Sequence, residues 1–251
     1  MNSDFLKICE DIEAIGIKKG DEVLFHSSLK SMGYVEGGAE TFIKALLFVV
    51  GDSGTIIAPT LSYSFVTEEN PFYNHEKTPS CVGAISEYVR TMEGAKRSIH
   101  PSHSCAAVGK NADFYVNGHE KDNTPVGENS PFYKLCQRGG KILMLGCGAG
   151  PNTSMHGVEE KAGVSYALSK YPIEQYIKVS GEEYRKAYYR HRIRQNGYRQ
   201  KYERLLNVLE DYKKGVIHGA ESFLMESDKV WKAGEEAIKK NEFYFVEKVE
   251  K

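Results

Sequence analysis

The fold is decided by residues 20–58, which read GDEVLFHSSLKSMGYVEGGAETFIKALLFVVGDSGTIIA. The apolar run 22–26 predicts a short buried strand, and the small polar residues 27–38 predict a loop. Residues 39–50 predict a helix, and residues 55–58 predict a second strand after a glycine-containing turn. A strand, a helix and a strand in this order favour a parallel pair with a right-handed crossover, so ligands are expected at the carboxyl ends of the strands.

The remainder of the chain predicts further helices and strands around this unit. With Ser3 as an N-cap, the pattern predicts a helix at residues 3–16 and a second helix at 82–92. It also predicts short strands at 105–108 and 141–146 and a third helix from residue 152. After Pro172 the charged sequence predicts helices at residues 182–209, 216–225 and 228–240, followed by an edge strand at 243–246. The predicted fold class is α/β, with a central, mostly parallel sheet flanked by helices and a helical C-terminal part.

The composition is that of a folded protein, and it excludes several classes. The 251 residues include 33 Lys or Arg and 34 Asp or Glu, a net charge of -1, so a polybasic nucleic-acid binder is not indicated. No apolar run approaches the roughly 20 residues that span a bilayer, and a secretory signal is not evident, so we expect a cytoplasmic protein without membrane contact. Five cysteines without CxxC spacing indicate neither a disulfide framework nor a zinc knuckle.

Two polar clusters are candidates for binding an anion. His26, Ser27, Ser28 and Leu29 follow the first strand, where N–H groups and hydroxyls can converge on an anion or a carbonyl oxygen. A hydroxyl-rich turn without a ligand is the alternative. The second cluster, RSIHPSHS at 97–104, contains an arginine whose planar guanidinium can clamp a phosphate, although an ordinary surface arginine fits equally well.

A metal site in the second cluster is disfavoured. His100, His103 and Cys105 are close in sequence and have metal-binding side chains. On an extended segment, however, positions i and i+3 point to opposite faces, and no distant fourth ligand is evident. No metal is therefore expected.

A third cluster, His156 and Glu159, has the spacing of a general base and its partner. On a helix these residues lie on one face, where the carboxylate can orient the imidazole to accept a proton from an amine or hydroxyl. A solvated helix face carrying both residues is the alternative.

The fourth cluster, residues 185–204, is strongly basic. It holds eight Arg or Lys against one acid, a local net charge of +7, with four tyrosines interleaved and Tyr184 directly before it. A solvated helix face, a phosphate-bearing substrate and a nucleic acid all fit this pattern, and a polycation fits it least.

The order of the first three clusters resembles that of the aminoglycoside 3-N-acetyltransferase family, over about residues 17–160. The resemblance rests on residues 20–29, Gly33, 37–39, Gly51, Gly54, Thr55, Pro59, Thr60, Arg97, Ser98, His100, Pro101, Ser104, Gly127, Ser130, Pro131, Leu145, Gly146, Asn152, Thr153, His156 and Glu159. It implies an α/β enzyme that transfers an acyl group, acetyl or another, from acyl-CoA to an amine.

The resemblance also implies roles for individual residues. His156 resembles the base that accepts the amine proton, with Glu159 as its orienting partner. His26, Ser27, Ser28 and Leu29 resemble the wall along the pantetheine arm and thioester, where amides stabilise the oxyanion. Arg97, Ser98 and, nearby, His100 resemble contacts to CoA phosphate. Direct transfer is expected, with an acyl-enzyme on Cys105 or Cys147 as the competing mechanism.

The basic stretch departs from what the family implies about the acceptor. Carboxylates are expected to line a cleft for a polyamine, and like charges there would repel it. We therefore expect an amino sugar that carries phosphate, such as a nucleotide-linked aminodeoxy sugar for a surface polysaccharide, bound by Arg192 and Arg194.

Other readings stay open at this point. A true aminoglycoside 3-N-acetyltransferase that confers antibiotic resistance is one alternative, and a non-catalytic CoA-binding or interaction module is another. Residues 1–172 are expected to form the acyl-CoA-binding catalytic core, and 173–251 a helical, substrate-side extension packed on it. The expected partners are acyl-CoA and the acceptor, without nucleic acid, and a homo-oligomer is compatible with the sequence.

Overall fold

The first two thirds of the chain follow the predicted alternation of helices and strands. The computed structural model describes residues 2–249. Up to residue 162 its elements are α1 Ser3–Ile15, β1 Glu22–Ser27, α2 Ala39–Val50, β2 Thr55–Pro59, β3 Phe72–Asn74, α3 Ala84–Thr91, β4 Lys96–Arg97, β5 Cys105–Gly109, α4 Ala112–Val116, α5 Pro131–Arg138, β6 Lys141–Leu145 and α6 Ser154–Ala162. The N-cap of α1 is Asn2 rather than Ser3, because the Asn2 side chain accepts a hydrogen bond from the Phe5 amide at 2.9 Å.

The last third contains far more strand than its charge pattern predicts. Its elements are β7 Ile173–Val179, β8 Glu182–Tyr188, β9 Tyr198–Gln200, β10 Tyr212–Ile217, β11 Ala220–Glu226, α7 Ser227–Lys240 and β12 Val246–Lys248. The helices predicted over 182–209 and 216–225 are therefore wrong, whereas the C-terminal helix predicted over 228–240 is confirmed by α7.

Two tight hairpin turns explain the difference. Ser180 and Gly181 join β7 to β8, and His218 and Gly219 join β10 to β11. All four residues have positive φ, between 45° and 87°, which suits a two-residue turn between antiparallel strands. A glycine after a small or polar residue was thus the turn signal, and the charges on either side belong to exposed strand faces.

The central sheet has seven strands in the order β10-β11-β6-β1-β2-β5-β4. The middle strand β1 is parallel to both β2 and β6, while β11, β5, β4 and β10 pair antiparallel with their neighbours. The predicted α/β class is confirmed, with a parallel centre inside a mixed sheet. Because β1, β2 and β6 run the same way, their carboxyl ends open onto one edge.

Helices cover both faces of this sheet. Val23 and Phe25 of β1 pack into a core with α1, α2 and α3, whereas Leu24 packs on the other side with α5, α6 and α7. This alternation follows from the pleat of a strand, and each fully buried Val, Leu or Phe side chain contributes about 1.5–3 kcal/mol. Within residues 2–249, no helix is both long and apolar enough to cross a membrane.

Residues outside the central sheet form two smaller sheets. β3, β7 and β8 make one of three strands, and β9 pairs with β12 in the other. The strands β10 and β11 instead complete the central sheet, so only part of the segment 173–251 lies apart from it. The division of the chain at residue 172 stays a prediction.

A glycine lets α6 lie close against α7. A Cβ placed on Gly157 would come within 2.3 Å of the Trp231 ring and 2.6 Å of Val126. We expect Gly157→Ala to destabilise the fold by about 1–3 kcal/mol, because the buried Trp231 ring has no room to move. Urea unfolding measures the change. Gly150→Ala, whose Cβ meets no atom closer than 3.8 Å, is the matched control, and equal stability of the two variants would contradict the close approach.

Candidate active site

A cavity of about 1110 Å³ opens at the carboxyl ends of the three parallel strands. His26 and Ser27 line it from the end of β1, and Pro59 lines it from the end of β2. The loop after β6 contributes Cys147 and residues 150–153. This is the edge where the strand–helix–strand pattern predicts a ligand.

His156 and Glu159 face each other through a tyrosine hydroxyl. The distance from His156 Nδ1 to Glu159 Oε2 is 3.6 Å, which is long for a hydrogen bond. The Tyr202 hydroxyl lies 2.8 Å from His156 Nδ1 and donates to Glu159 Oε2 at 2.6 Å. Tyr166 donates to the other oxygen, Glu159 Oε1, at 2.9 Å. The fully buried carboxylate is therefore held by two phenols, and it reaches the imidazole through Tyr202.

This chain of hydrogen bonds fixes the tautomer of His156. A phenol has a single proton, so when Tyr202 donates it to Glu159 its oxygen must accept from His156 Nδ1–H. Burial and the Glu159 charge raise the pKa of Tyr202 well above its usual range, which keeps that proton in place. Nε2 of His156 then keeps its lone pair, to which the Gln200 side-chain amide lies at 3.0 Å. A neutral imidazole with such a lone pair, lining a cavity, has the form of a general base.

The predicted pantetheine wall is only partly at the cavity. His26 lines it, and the His26 Nε2 accepts a hydrogen bond from the Thr153 amide at 3.3 Å. Burial lowers the pKa of His26 to about 3, so the ring is neutral. Ser27 also lines the cavity, whereas Ser28 and Leu29 are not among the lining residues. The Ser28 amide donates to the backbone oxygen of Leu145, so it is not available to an oxyanion.

The guanidinium of Arg97 is engaged inside the protein. It donates to the backbone oxygens of His75, Thr78 and Thr60 at 2.9, 2.7 and 3.0 Å, and to Ser104 Oγ at 3.0 Å. A guanidinium has five N–H donors, and these bonds use four of them within the fold rather than on a phosphate.

Ser98 and His100 are also structural. The Ser98 hydroxyl pairs with His119 Nδ1 at 2.9 Å and accepts from the Cys105 amide. The His100 ring is fully buried and stacks on His119 with ring centres 4.8 Å apart. None of Arg97, Ser98 and His100 lines the cavity. These contacts favour a structural role for the three residues, and their predicted contact with CoA stays a prediction.

Arg192 and Arg194 lie at the cavity, together with Arg190 and Arg199. Arg192 pairs with Glu68, and Arg199 pairs with Glu247. Arg190 donates to the backbone oxygen of Val66 at 2.6 Å. Arg194 has neither an ion pair nor a hydrogen-bonded side-chain partner among residues 2–249. Among the four cavity arginines, Arg194 is therefore the one without a hydrogen-bonded or ion-paired partner in the described residues.

The two cysteines proposed as acyl acceptors are poor nucleophiles. Cys105 is fully buried and does not line the cavity. Cys147 does line it, and burial raises the pKa of its thiol to about 11. Because the thiolate is the nucleophilic form, both positions disfavour a cysteine acyl-enzyme.

Several cavity residues were not identified from the sequence. Tyr202, Gln200 and His191 all lie in the basic stretch, for which the sequence analysis considered only the positive charge. Their contact partner His156 is more than thirty residues earlier, so no local spacing links them. The tyrosines interleaved with the arginines were the one available signal.

The chain is similar over most of its length to known proteins of one family. A family model described as aminoglycoside 3-N-acetyltransferase matches residues 24–239. The SPbeta prophage-derived aminoglycoside N(3')-acetyltransferase-like protein YokD of Bacillus subtilis (strain 168) is 37% identical over 169 residues, which cover 59% of this chain and 62% of that protein. Aminoglycoside N(3)-acetyltransferase VII of Streptomyces paromomycinus is 33% identical over 193 residues, which cover 70% of this chain and 66% of that protein.

These alignments span slightly less than two thirds of each curated relative. The structural likeness extends further. A crystal structure of aminoglycoside acetyltransferase AAC(3)-Xa superimposes with a TM-score of 0.83 at 27% identity, covering 94% of this chain and 92% of that one. The extent of the family match, and the shared fold around the cavity, lead to one conclusion: the chain belongs to the aminoglycoside 3-N-acetyltransferase family.

Proposed function

We propose that the protein is an acetyl-CoA-dependent N-acetyltransferase whose acceptor is an amine of an aminoglycoside-class amino sugar. The observation that carries this proposal is the hydrogen-bonded set of His156, Tyr202 and Glu159, with His156 lining the cavity. Membership in the family supports acetyl-CoA as the donor and an amine as the acceptor. The complete hydrogen-bonded set also argues against a catalytically silent CoA-binding module.

The proposed reaction is a direct transfer. His156 Nε2 removes a proton from the amine as the amine nitrogen bonds to the thioester carbonyl carbon. The carbon–sulfur bond then breaks, and CoA leaves as a thiolate. The positive charge that forms on His156 is stabilised by its hydrogen bond to Tyr202, which in turn bonds the Glu159 carboxylate. His26 and Ser27 stay the candidate wall for the thioester arm.

The test is a free-thiol release assay with acetyl-CoA and two acceptor panels, aminoglycosides and nucleotide-linked amino sugars. Turnover with aminoglycosides is expected, and His156→Ala should abolish it. Silence on both panels with a folded protein would contradict the proposed activity. Turnover with the nucleotide sugars alone would support the transferase chemistry and reject the acceptor class.

A phosphate-bearing amino sugar is the second candidate, and the cavity charges favour it. Four arginines line the cavity against two glutamates, Glu68 and Glu69. A polyamine would meet the unpaired Arg194 as a like charge, whereas a phosphate would accept hydrogen bonds from it.

The variant Arg194→Ala separates the two acceptors. For a phosphate-bearing acceptor, its KM should rise about 10- to 100-fold, because a hydrogen bond to a charged group contributes about 1.5–3 kcal/mol. For an aminoglycoside, the KM should stay equal or fall. Arg185→Ala is the matched control, since Arg185 is 65% exposed, pairs with Glu174 and lies outside the cavity lining. A rise of the phosphate-sugar KM in both variants would remove the assignment of Arg194.

Tyr202 is the second position where activity is expected to respond. Tyr202→Phe removes the only group that joins His156 Nδ1 to the Glu159 carboxylate, so kcat should fall about 10- to 100-fold. Tyr166→Phe is the control, because Tyr166 bonds the other Glu159 oxygen and does not contact His156. We expect it to lower kcat less. Equal kcat values for the two variants, measured by thiol release at saturating substrates, would contradict the relay through Tyr202.

A further inference from the structure

Three histidines meet on one wall of the cavity. One ring nitrogen from each of His103, His156 and His191 lies within 4.8 Å of the other two. The rings of His156 and His191 stack with centres 3.9 Å apart, and His103 meets His191 edge-on at 4.9 Å. The proposed reaction uses only His156, so the two other imidazoles have no role in it.

In each of these rings the second nitrogen is engaged by an oxygen. His103 Nδ1 pairs with Ser102 Oγ at 2.9 Å, and His156 Nδ1 pairs with Tyr202 at 2.8 Å. His191 Nε2 pairs with Glu160 Oε1 at 2.7 Å. Metal-binding histidines have this arrangement, because an oxygen on one ring nitrogen fixes the tautomer and directs the lone pair of the other nitrogen to the ion.

The nitrogens that remain are two Nε2 atoms, of His103 and His156, and Nδ1 of His191. The last is buried and has no hydrogen-bond partner, an arrangement that normally costs free energy. Within residues 2–249 the hydrogen-bond partner of His156 Nε2 is the Gln200 side-chain amide, which a stronger ligand can displace.

We propose that His103, His156 and His191 bind one divalent transition-metal ion of the Zn²⁺ type, and that this ion blocks acetyl transfer by occupying His156 Nε2. Imidazole nitrogens suit Zn²⁺, and the carboxylates of Glu159 and Glu160 behind two of the rings compensate its charge. Zn–N bonds of about 2.0–2.1 Å require the three nitrogens to draw together. His191 lies between β8 and β9, in an isolated β-bridge with Leu168, and its ring must turn out of the parallel stack with His156 for its Nδ1 to reach the same ion.

Metal binding is tested without substrates, so it does not depend on the proposed function; only the block of transfer rests on that function. The probe is Co²⁺, whose visible absorption bands distinguish a four-coordinate protein site from the hydrated ion. We expect wild type to bind one Co²⁺, and added Zn²⁺ to displace it. His191→Ala and His103→Ala should weaken binding at least 100-fold, and Glu160→Gln about 10- to 100-fold.

Two controls separate metal binding from damage to the fold. His218→Ala removes an imidazole that pairs with Asp4 and the Met32 backbone, outside the cavity lining, and should bind Co²⁺ like wild type. Thermal unfolding of each variant is followed by circular dichroism. If His191→Ala is unfolded, His191→Asn replaces it. Binding of Co²⁺ by folded His191 variants with wild-type affinity, or a hydrated-ion spectrum with wild type, would overturn the proposal.

The block of transfer has its own readout. Zn²⁺ should inhibit thiol release by wild type, and a chelator should restore it. Tight Co²⁺ binding without inhibition by Zn²⁺ would overturn the blocking role. Tight Co²⁺ binding by a protein that acetylates neither acceptor panel would instead contradict the proposed function and support the metal site.

Discussion

Replacing His156 with alanine is expected to lower kcat for amine acetylation by about 10²–10⁴-fold, the range contributed by a positioned general base. The KM for acetyl-CoA should change little, because the proposed role of His156 concerns the amine proton rather than the donor. Thiol release at saturating substrates gives kcat, and His218→Ala, remote from the cavity, is the control for loss of a histidine as such.

A rescue experiment makes this prediction sharper. Removing the imidazole leaves space beside Tyr202, and free imidazole added to the solution should restore part of the turnover of His156→Ala. Restoration should fail when Glu159→Gln is combined with His156→Ala, because the added base then lacks the carboxylate behind Tyr202. A variant with near wild-type kcat, or one restored equally in both backgrounds, would exclude His156 as the base.

Replacing Arg97 with methionine is expected to reduce the free energy of unfolding by about 3–4 kcal/mol. The change leaves the backbone oxygens of His75 and Thr78 without this donor, while that of Thr60 keeps the Ser104 hydroxyl, and an acceptor left unsatisfied in the interior costs about 1–3 kcal/mol. Urea unfolding measures the loss, with the exposed Arg185→Met as a control that should stay within about 0.5 kcal/mol of wild type.

The same variant decides between a structural and a donor-binding role. At a temperature where the variant stays folded, its KM for acetyl-CoA should match that of wild type. Unchanged stability with a raised KM would restore Arg97 as a phosphate clamp and contradict the hydrogen bonds described above.

Local sequence patterns were sufficient to predict an element whose structure depends only on its own residues. The helix predicted over 39–50 has the bounds observed for α2, because its apolar spacing and flanking glycines require no distant partner. His156 and Glu159 lie on one helix because their spacing is local. The contact between them through Tyr202 was out of reach, since the tyrosine arrives from a segment more than forty residues later.

Residues 173–226 show where the same reasoning failed. Charged side chains every few residues suit an exposed helix and an exposed strand equally, and tertiary pairing decides between them. β7 pairs with β8 over its whole length, from Ile173 opposite Tyr188 to Val179 opposite Glu182. The internal hydrogen bonds of Arg97 were out of reach for a related reason: a sequence does not reveal that an arginine turns inward toward backbone oxygens of another segment.

The place of β11 in the central sheet has a consequence for synthesis of the protein. The inner strand β6 pairs with β1 on one side and with β11 on the other, as between Leu143 and Leu224. The ribosome therefore synthesises β6 long before β11. During that interval the edge of β6 that β11 will cover is exposed, and strands of other chains can pair with it. His191, Gln200 and Tyr202 are synthesised in the same interval. The nascent chain therefore obtains these residues of the candidate active site shortly before β11 covers the open edge of β6.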